Sequence, residues 1–169
     1  RVEGVPLAIE LAAARVSVLT PRELSEQLAD QLTLLESGLA DLPERHAPTE
    51  QRVRANGIEL CYFEWGRPER GRGPTLLFAH ATGFHARCWD AVIRRLGARH
   101  VIALDQRGHG RSEVSEIVHW KVFGEDLAGF VAALDLRDVV GVGHSMGGHA
   151  MVEAAAACPD RFRRLVLVD

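Results

Sequence analysis

The sequence predicts an α/β fold in which a mostly parallel sheet carries an antiparallel hairpin at its N-terminal side. Two strand-like segments flank the turn signal Asn56-Gly57, whose residues tolerate the positive φ that such hairpin turns require. Four short apolar runs follow, and helical patterns alternate with them. Continuous apolar runs suit strands buried on both faces of a parallel sheet, and the alternation with helices is typical of α/β domains.

Six strands are expected from these runs, at residues 52–55, 58–65, 75–79, 101–104, 139–142 and 165–168. Helices are expected where apolar side chains recur at helical spacing, over residues 89–96, 123–134 and 146–158. The sequence begins with Arg rather than Met and stops directly after the sixth apolar run. We therefore expect a piece of a longer protein, with the sheet truncated after the sixth strand.

The charge balance argues against nucleic-acid and membrane partners. Twenty Lys and Arg residues stand against 23 Asp and Glu residues, for a net charge of −3, whereas nucleic-acid-binding chains carry a clear basic excess. No apolar run approaches the ~20 residues that span a bilayer.

The three cysteines, Cys61, Cys88 and Cys158, are scattered and lack metal-ligand spacing. We therefore expect a cytoplasmic protein without a metal or other cofactor.

The first 47 residues form a segment distinct from the α/β domain at 48–169. They hold four basic and eight acidic residues, and they predict two helices, the second starting at a capping box from Thr20 to Glu23. The run Gly4-Val5-Pro6-Leu7-Ala8 and residues 41–46 resemble the end of the nucleotide-binding module in STAND-type signalling ATPases, although no phosphate-binding loop is present. The resemblance implies an ATPase-like regulatory partner. An ordinary Ala/Leu-rich helical hairpin is the alternative.

The strongest chemical signal is Gly143-His144-Ser145-Met146-Gly147, which lies between an expected strand and an expected helix. A serine at such a turn is held in a strained conformation that lifts its hydroxyl above the sheet. Gly143 and Gly147 are expected because a Cβ at either position would collide across the tight turn. Ser145 is therefore the predicted nucleophile, and residues 48–169 resemble the α/β-hydrolase superfamily, in which this turn is the nucleophile elbow.

Two further segments support this resemblance. His80-Ala81-Thr82 follows the strand at 75–79, where the family places its oxyanion loop, and Ala81 stands where Gly is common. The resemblance implies that the backbone N–H groups of Thr82 and Met146 hold the developing oxyanion. Asp105-Gln106-Arg107-Gly108 begins a second family loop. This loop is expected to be structural, with Asp105 and Arg107 making polar contacts inside it, and a pocket-wall role for His109 is the alternative.

The resemblance also implies a triad acid and a triad histidine after the nucleophile. The only histidine after Ser145 is His149, four residues on in the expected helix, and we do not expect it to act as the base. The base is therefore expected outside these residues. Asp169 follows the last strand, a position that some relatives use for the acid. Most relatives place the acid after the next strand, and a carboxylate that merely ends a strand is the alternative.

These features predict a serine hydrolase that acts on an ester or similar small-molecule acyl substrate. Within the superfamily that this chain resembles, dehalogenases and epoxide hydrolases carry Asp as the nucleophile, and dienelactone-type enzymes carry Cys. Ser145 therefore argues against membership of these groups. Without a base beside its serine, this chain alone is expected to be inactive. The alternative is a non-catalytic regulatory or ligand-binding module, or the product of a non-functional gene fragment.

Overall fold

The computed structural model describes residues 47–168 of the chain, except residues 68–69, 97–98 and 118. Contacts divide the chain into two compact units, Arg1–Ala47 and Pro48–Asp169, and all described residues except Ala47 lie in the second. The helices predicted before residue 47 and the ATPase-like resemblance concern residues outside the described part. Asp169, the candidate triad acid, also lies outside it.

The described part of the chain begins with the predicted hairpin. Strand β1 (Thr49–Ala55) pairs antiparallel with strand β2 (Ile58–Trp65). Between them, Asn56 and Gly57 have φ of 45° and 80°, the left-handed conformation that both central residues of a type I′ turn require. β1 begins three residues before its predicted start, because the mostly exposed polar residues 49–51 also pair with β2.

The sheet has four further strands, β3 (Thr75–Ala79), β4 (Val101–Leu104), β5 (Val139–His144) and β6 (Phe162–Val168). The strand order is β1-β2-β4-β3-β5-β6. β2 runs antiparallel to β4, and the strands from β4 to β6 are parallel to one another. The predicted α/β sheet with its antiparallel hairpin is therefore confirmed. β5 and β6 extend past their predicted bounds, since His144 pairs with Val168 and Val139 with Phe162.

The described helices are α1 (Asp90–Ile93), α2 (Lys121–Ala133) and α3 (Met146–Ala157). α2 and α3 lie close to their predicted bounds. The helix predicted over residues 89–96 is instead a single α-helical turn between two 3-10 turns, Ala86–Trp89 and Arg94–Leu96. The β-branched residues Val92 and Ile93 at its centre disfavour a longer helix. None of the helices described is long and apolar enough to span a membrane.

The sheet is buried on both faces over its central strands. In β4, Ile102 and Leu104 belong to a large cluster with residues of α2 and α3, while Val101 and Ala103 belong to a second cluster with Ile93 of α1. This alternation is the two-residue period of a strand, which sends successive side chains to opposite faces. The prediction of central strands buried on both sides is confirmed here.

Strand β6 differs from the central strands. Its apolar residues Val166, Leu167 and Val168 are 43%, 58% and 41% exposed, so this continuous apolar run is not buried on both faces in the described structure. β6 lies at the edge of the described sheet and pairs with β5 alone. An edge strand has fewer neighbours to cover its side chains.

A buried ion pair connects the loop after β4 to α2 and to the hairpin. Arg107 donates from Nε to Asp126 Oδ2 over 2.7 Å and from a terminal nitrogen to Asp126 Oδ1 over 2.6 Å. Asn56 Nδ2 donates to the same Oδ1 over 2.7 Å. The side chains of Arg107 and Asp126 are only 7% and 3% exposed. Because the guanidinium is withdrawn from water, its charge depends chiefly on this carboxylate for compensation.

We expect Asp126→Asn to lower the free energy of unfolding by about 3 kcal/mol, because it removes the counter-charge that is hydrogen-bonded to the buried Arg107. The control is Asp138→Asn. Asp138 pairs with Arg163 across 2.6 Å, with both side chains substantially exposed at 39% and 58%, and this change is expected to cost less than about 1 kcal/mol. Urea denaturation of both variants measures the difference, and equal losses would contradict the role assigned to the buried pair.

Candidate active site

Ser145 lies at the sharp turn between β5 and α3. Its φ is 49° and its ψ is −114°, a positive-φ conformation that is uncommon and strained for a residue with a Cβ. Its backbone N–H donates to Val168 O over 3.1 Å, which connects the turn to β6. The residue is exposed. The turn therefore presents the serine hydroxyl at the carboxyl end of β5, at the start of a helix.

The glycines around Ser145 permit two close backbone approaches. A Cβ on Gly143 would lie 2.4 Å from Gly147 O, across the turn. A Cβ on Gly147 would lie 2.3 Å from Ala79 O and 2.7 Å from His80 O. The sequence interpretation placed the second collision within the turn as well. It is instead the end of β3 that lies against Gly147, so this glycine sets the distance between β3 and the start of α3.

A cavity of about 400 Å³ opens at Ser145. Its described lining residues come from the loop after β3, the segment before α2 and the start of α3: Thr82, Trp120, Ser145, Met146 and His149. Thr82 Oγ1 donates to Met146 Sδ over 3.4 Å. The structure therefore brings together Ser145, Thr82 and Met146, the three residues that the sequence analysis grouped.

Two backbone N–H groups at this cavity are available as donors. Met146 is the first residue of α3, and the first N–H groups of a helix have no acceptor within the helix. Among the described residues, the Thr82 N–H makes no backbone hydrogen bond. The amino end of α3 also carries the positive end of the helix dipole. This part of the cavity is suited to an oxygen atom with developing negative charge.

His80 positions the loop that holds Thr82. Its imidazole is fully buried, with Nδ1 2.8 Å from Ala81 O and Nε2 accepting from the Gln106 N–H over 3.0 Å. Burial lowers the pKa of His80 to about 4, so the ring is neutral at neutral pH and its Nδ1–H donates to Ala81. Gln106 Nε2 donates in return to His80 O over 2.5 Å. His80 therefore has a structural role, because it connects the loops after β3 and β4.

The loop after β4 is ordered around the Asp105 carboxylate. Its two oxygens accept from the backbone N–H groups of Ala86, over 2.6 Å, and Arg111, over 2.8 Å. A Cβ on Gly110 would lie 2.2 Å from this carboxylate, and Gly108 has a φ of 71°. Asp105 therefore makes the contact inside the loop that was predicted for it, together with a contact to Ala86.

Arg107 makes part of the contacts predicted for it inside this loop, since it donates to Ser115 Oγ and its carbonyl oxygen lies beside His109 Nδ1, but its strongest partner lies outside the loop. It binds Asp126 of α2 and, more weakly, Asn56 O in the hairpin over 3.5 Å. Its long side chain reaches beyond the loop, and Asp126 is the buried acceptor that it meets. His109 is not among the described residues lining the cavity. Its Nδ1 lies 2.8 Å from Arg107 O, so the pocket-wall alternative gains no support.

Most described imidazoles have hydrogen bonds away from Ser145. His85 accepts from the Arg87 N–H over 3.3 Å, and His100 lies between Thr75 Oγ1 and Glu64 Oε1 at 2.8 and 2.9 Å. No hydrogen bond joins the Ser145 hydroxyl to an imidazole in the described structure. The described residues also contain no group of three or more His, Cys, Asp or Glu side chains that could hold a metal ion.

Two cavity residues, Trp120 and His149, are not predicted as site residues from the sequence. Trp120 is 60% exposed although it is a large aromatic side chain, and nothing in its local sequence indicates that it borders the serine. His149 had a usable signal. It follows Ser145 by four residues, and side chains at that spacing lie on the same side of a helix.

A family model and individual relatives both place this chain among the α/β hydrolases. The family model described as "Alpha/beta hydrolase family" matches residues 76–169, more than half of the chain. A 2-(acetamidomethylene)succinate hydrolase of Mesorhizobium japonicum is 37% identical over 103 residues, covering 60% of this chain and 37% of the relative. An esterase of Mycobacterium tuberculosis is 36% identical over 124 residues, covering 72% of this chain and 39% of the relative.

Solved structures agree with these relatives. A haloalkane dehalogenase of Agrobacterium tumefaciens superposes with a TM-score of 0.63 at 26% identity, over 72% of this chain and 40% of that protein. The chain therefore spans well under half the length of each of the three proteins compared.

We expect Gly147→Ala to lower the free energy of unfolding by about 1–3 kcal/mol. The Cβ of the new alanine would overlap the β3 backbone, and neither β3 nor α3 can move away without repacking. The control is Gly148→Ala in the same helix, where the nearest backbone oxygen is 3.3 Å away. Its stability is expected to stay within about 1 kcal/mol of the wild type, since Ala favours helix over Gly. Urea denaturation that ranks the two variants equally would contradict the close approach of β3 and α3.

Proposed function

Because the chain belongs to the α/β hydrolase family, we propose that it contains the nucleophilic serine of a hydrolase that cleaves an ester or similar acyl bond in a small molecule. The observation that supports this most directly is Ser145 itself. It is exposed, it has a φ of 49° at the strand-to-helix turn, and it lines a cavity with Thr82 and Met146. A serine kept in a strained turn of this kind has the geometry of a nucleophile elbow.

In the proposed mechanism, Ser145 Oγ attacks the carbonyl carbon of the substrate and its proton passes to a base. The carbonyl oxygen becomes an oxyanion, which accepts hydrogen bonds from the backbone N–H groups of Thr82 and Met146. Removing one such donor typically raises the barrier by about 2.7–4 kcal/mol. Collapse of the intermediate expels the alcohol and leaves an acyl group on Ser145, which water then removes with the same base.

The base and the acid belong to the proposal as well. The family order places both after the nucleophile, and the described imidazoles other than those of His119, His144 and His149 have hydrogen bonds elsewhere. We propose that a histidine outside this sequence activates Ser145 and that a carboxylate, either Asp169 or a later residue, orients it. This chain alone is then expected to show no measurable turnover, because an unactivated serine hydroxyl is a weak nucleophile.

A serine reaction is favoured over the reactions of some structural neighbours. The compared dehalogenase shares the fold at 26% identity, but Ser145 stands at the elbow where an Asp is expected in that group. The esterase similarity at 36% identity is in line with a serine nucleophile acting on an acyl group. A non-catalytic regulatory or ligand-binding module can be distinguished from a serine hydrolase by experiment, because such a module does not need a reactive serine hydroxyl.

The segment before residue 48 and the location of the protein are separate proposals. We propose that residues 1–47 are a helical segment related to the end of a STAND-type ATPase module, with an ATPase-like regulatory partner, and that the protein is cytoplasmic. We propose that residues 1–47 contribute no chemical group to the reaction at Ser145, and the reaction does not depend on the location of the protein.

We expect a fluorophosphonate probe to label the full-length protein at Ser145, because the activated hydroxyl attacks phosphorus as it attacks a carbonyl. Ser145→Ala should abolish both the labelling and the hydrolysis of a nitrophenyl ester. Peptide mass spectrometry of the labelled protein locates the adduct. The matched control is Ser115→Ala, since the hydroxyl of Ser115 accepts from Arg107 and lies outside the described cavity lining, and it should leave labelling unchanged. An adduct on Ser112 or Ser115, or no adduct at all, would refute the assignment.

A further inference from the structure

His149 lies one helical turn after Ser145. Its backbone N–H donates to Ser145 O over 3.0 Å, which fixes the turn between the two residues. Ser145 caps the helix in a non-helical conformation, and both residues line the same cavity. A substituent a few bonds away from a carbonyl bound at Ser145 is therefore within reach of the imidazole of His149.

The imidazole of His149 borders the cavity and makes no hydrogen bond to another described residue. The residue is exposed and lines the same cavity as Ser145, and no hydrogen bond of its side chain is present in the described structure. No hydrogen bond joins this ring to Ser145 in the described structure. The imidazole is therefore free to contact a substrate bound at Ser145.

The described residues around His149 favour a negatively charged group. Among the described lining residues of the cavity, none is an Asp or Glu. The amino end of the twelve-residue helix α3 lies at the same place and adds positive potential. A neutral or protonated imidazole has at least one N–H to donate, and hydrogen bonds from protein donors to a charged acceptor are stronger than neutral ones.

We propose that His149 donates a hydrogen bond to a carboxylate on the acyl part of the substrate and so selects anionic acyl groups. This inference rests on the proposed serine hydrolase function and adds the substrate class to it. In this arrangement the scissile carbonyl lies at Ser145 with its oxygen toward Thr82 and Met146. The carboxylate, a few bonds further along the acyl chain, lies against the first turn of α3 beside His149.

The test compares two esters that differ at one group, 4-nitrophenyl crotonate and mono-4-nitrophenyl fumarate. Both have the same rigid trans skeleton, and a carboxylate in the fumarate replaces the terminal methyl of the crotonate without being able to reach its own ester. The full-length protein is assayed with His149→Leu, which removes the donor, and His149→Gln, which keeps one. The control is His119→Gln, an exposed histidine outside the described cavity lining.

We expect His149→Leu to lower kcat/KM for the fumarate about tenfold relative to its effect on the crotonate. His149→Gln should restore part of that selectivity, and His119→Gln should not change it. One outcome would overturn this inference and leave the proposed function standing. In it, crotonate hydrolysis depends on Ser145, but His149→Leu does not change the ratio of kcat/KM for the fumarate to kcat/KM for the crotonate. Equal losses for both esters would overturn it too. Absence of any Ser145-dependent hydrolysis would overturn both.

Discussion

The contact between Gly147 and the end of β3 is the constraint on which the site depends. A Cβ at this position would lie 2.3 Å from Ala79 O, so only glycine lets α3 start this close to the strand. The close approach brings the loop after β3 beside the first turn of α3, where Thr82 Oγ1 donates to Met146 Sδ over 3.4 Å. Ser145, two residues before Gly147, lies at the sharp turn with a positive φ.

Three buried side chains in the loops after β3 and β4 keep this arrangement fixed and are not among the described residues that line the cavity. The neutral imidazole of His80 connects the loop after β3 to Gln106, and the Asp105 carboxylate holds the backbone of Ala86 and Arg111. Arg107 then connects the loop after β4 to α2. All of these groups follow the carboxyl ends of parallel strands, where sites in α/β sheets form. The scaffold is buried, so the exposed positions at the cavity are free to differ in chemistry.

The sequence predicts those features that depend on neighbouring residues. The hairpin turn at Asn56, the six strands and the elbow at Ser145 follow from local conformational preferences and from apolar patterning. Features that depend on distant contacts were missed or misplaced. Arg107 finds its partner on α2, and Gly147 is constrained by β3 rather than by its own turn. The cavity position of His149 needed both the helix geometry and the structure, because helical spacing alone does not show what the face borders.

The most direct test of this account is a crystal structure of the protein with Ser145 phosphonylated, since the adduct carries an oxygen where the oxyanion would form. The close approach of α3 to β3 predicts that this oxygen lies about 2.7–3.1 Å from the backbone nitrogens of both Thr82 and Met146. Ser145 is expected to keep its positive φ in the adduct. A phosphonyl oxygen that points away from these two N–H groups, or that is held by other donors, would contradict the account.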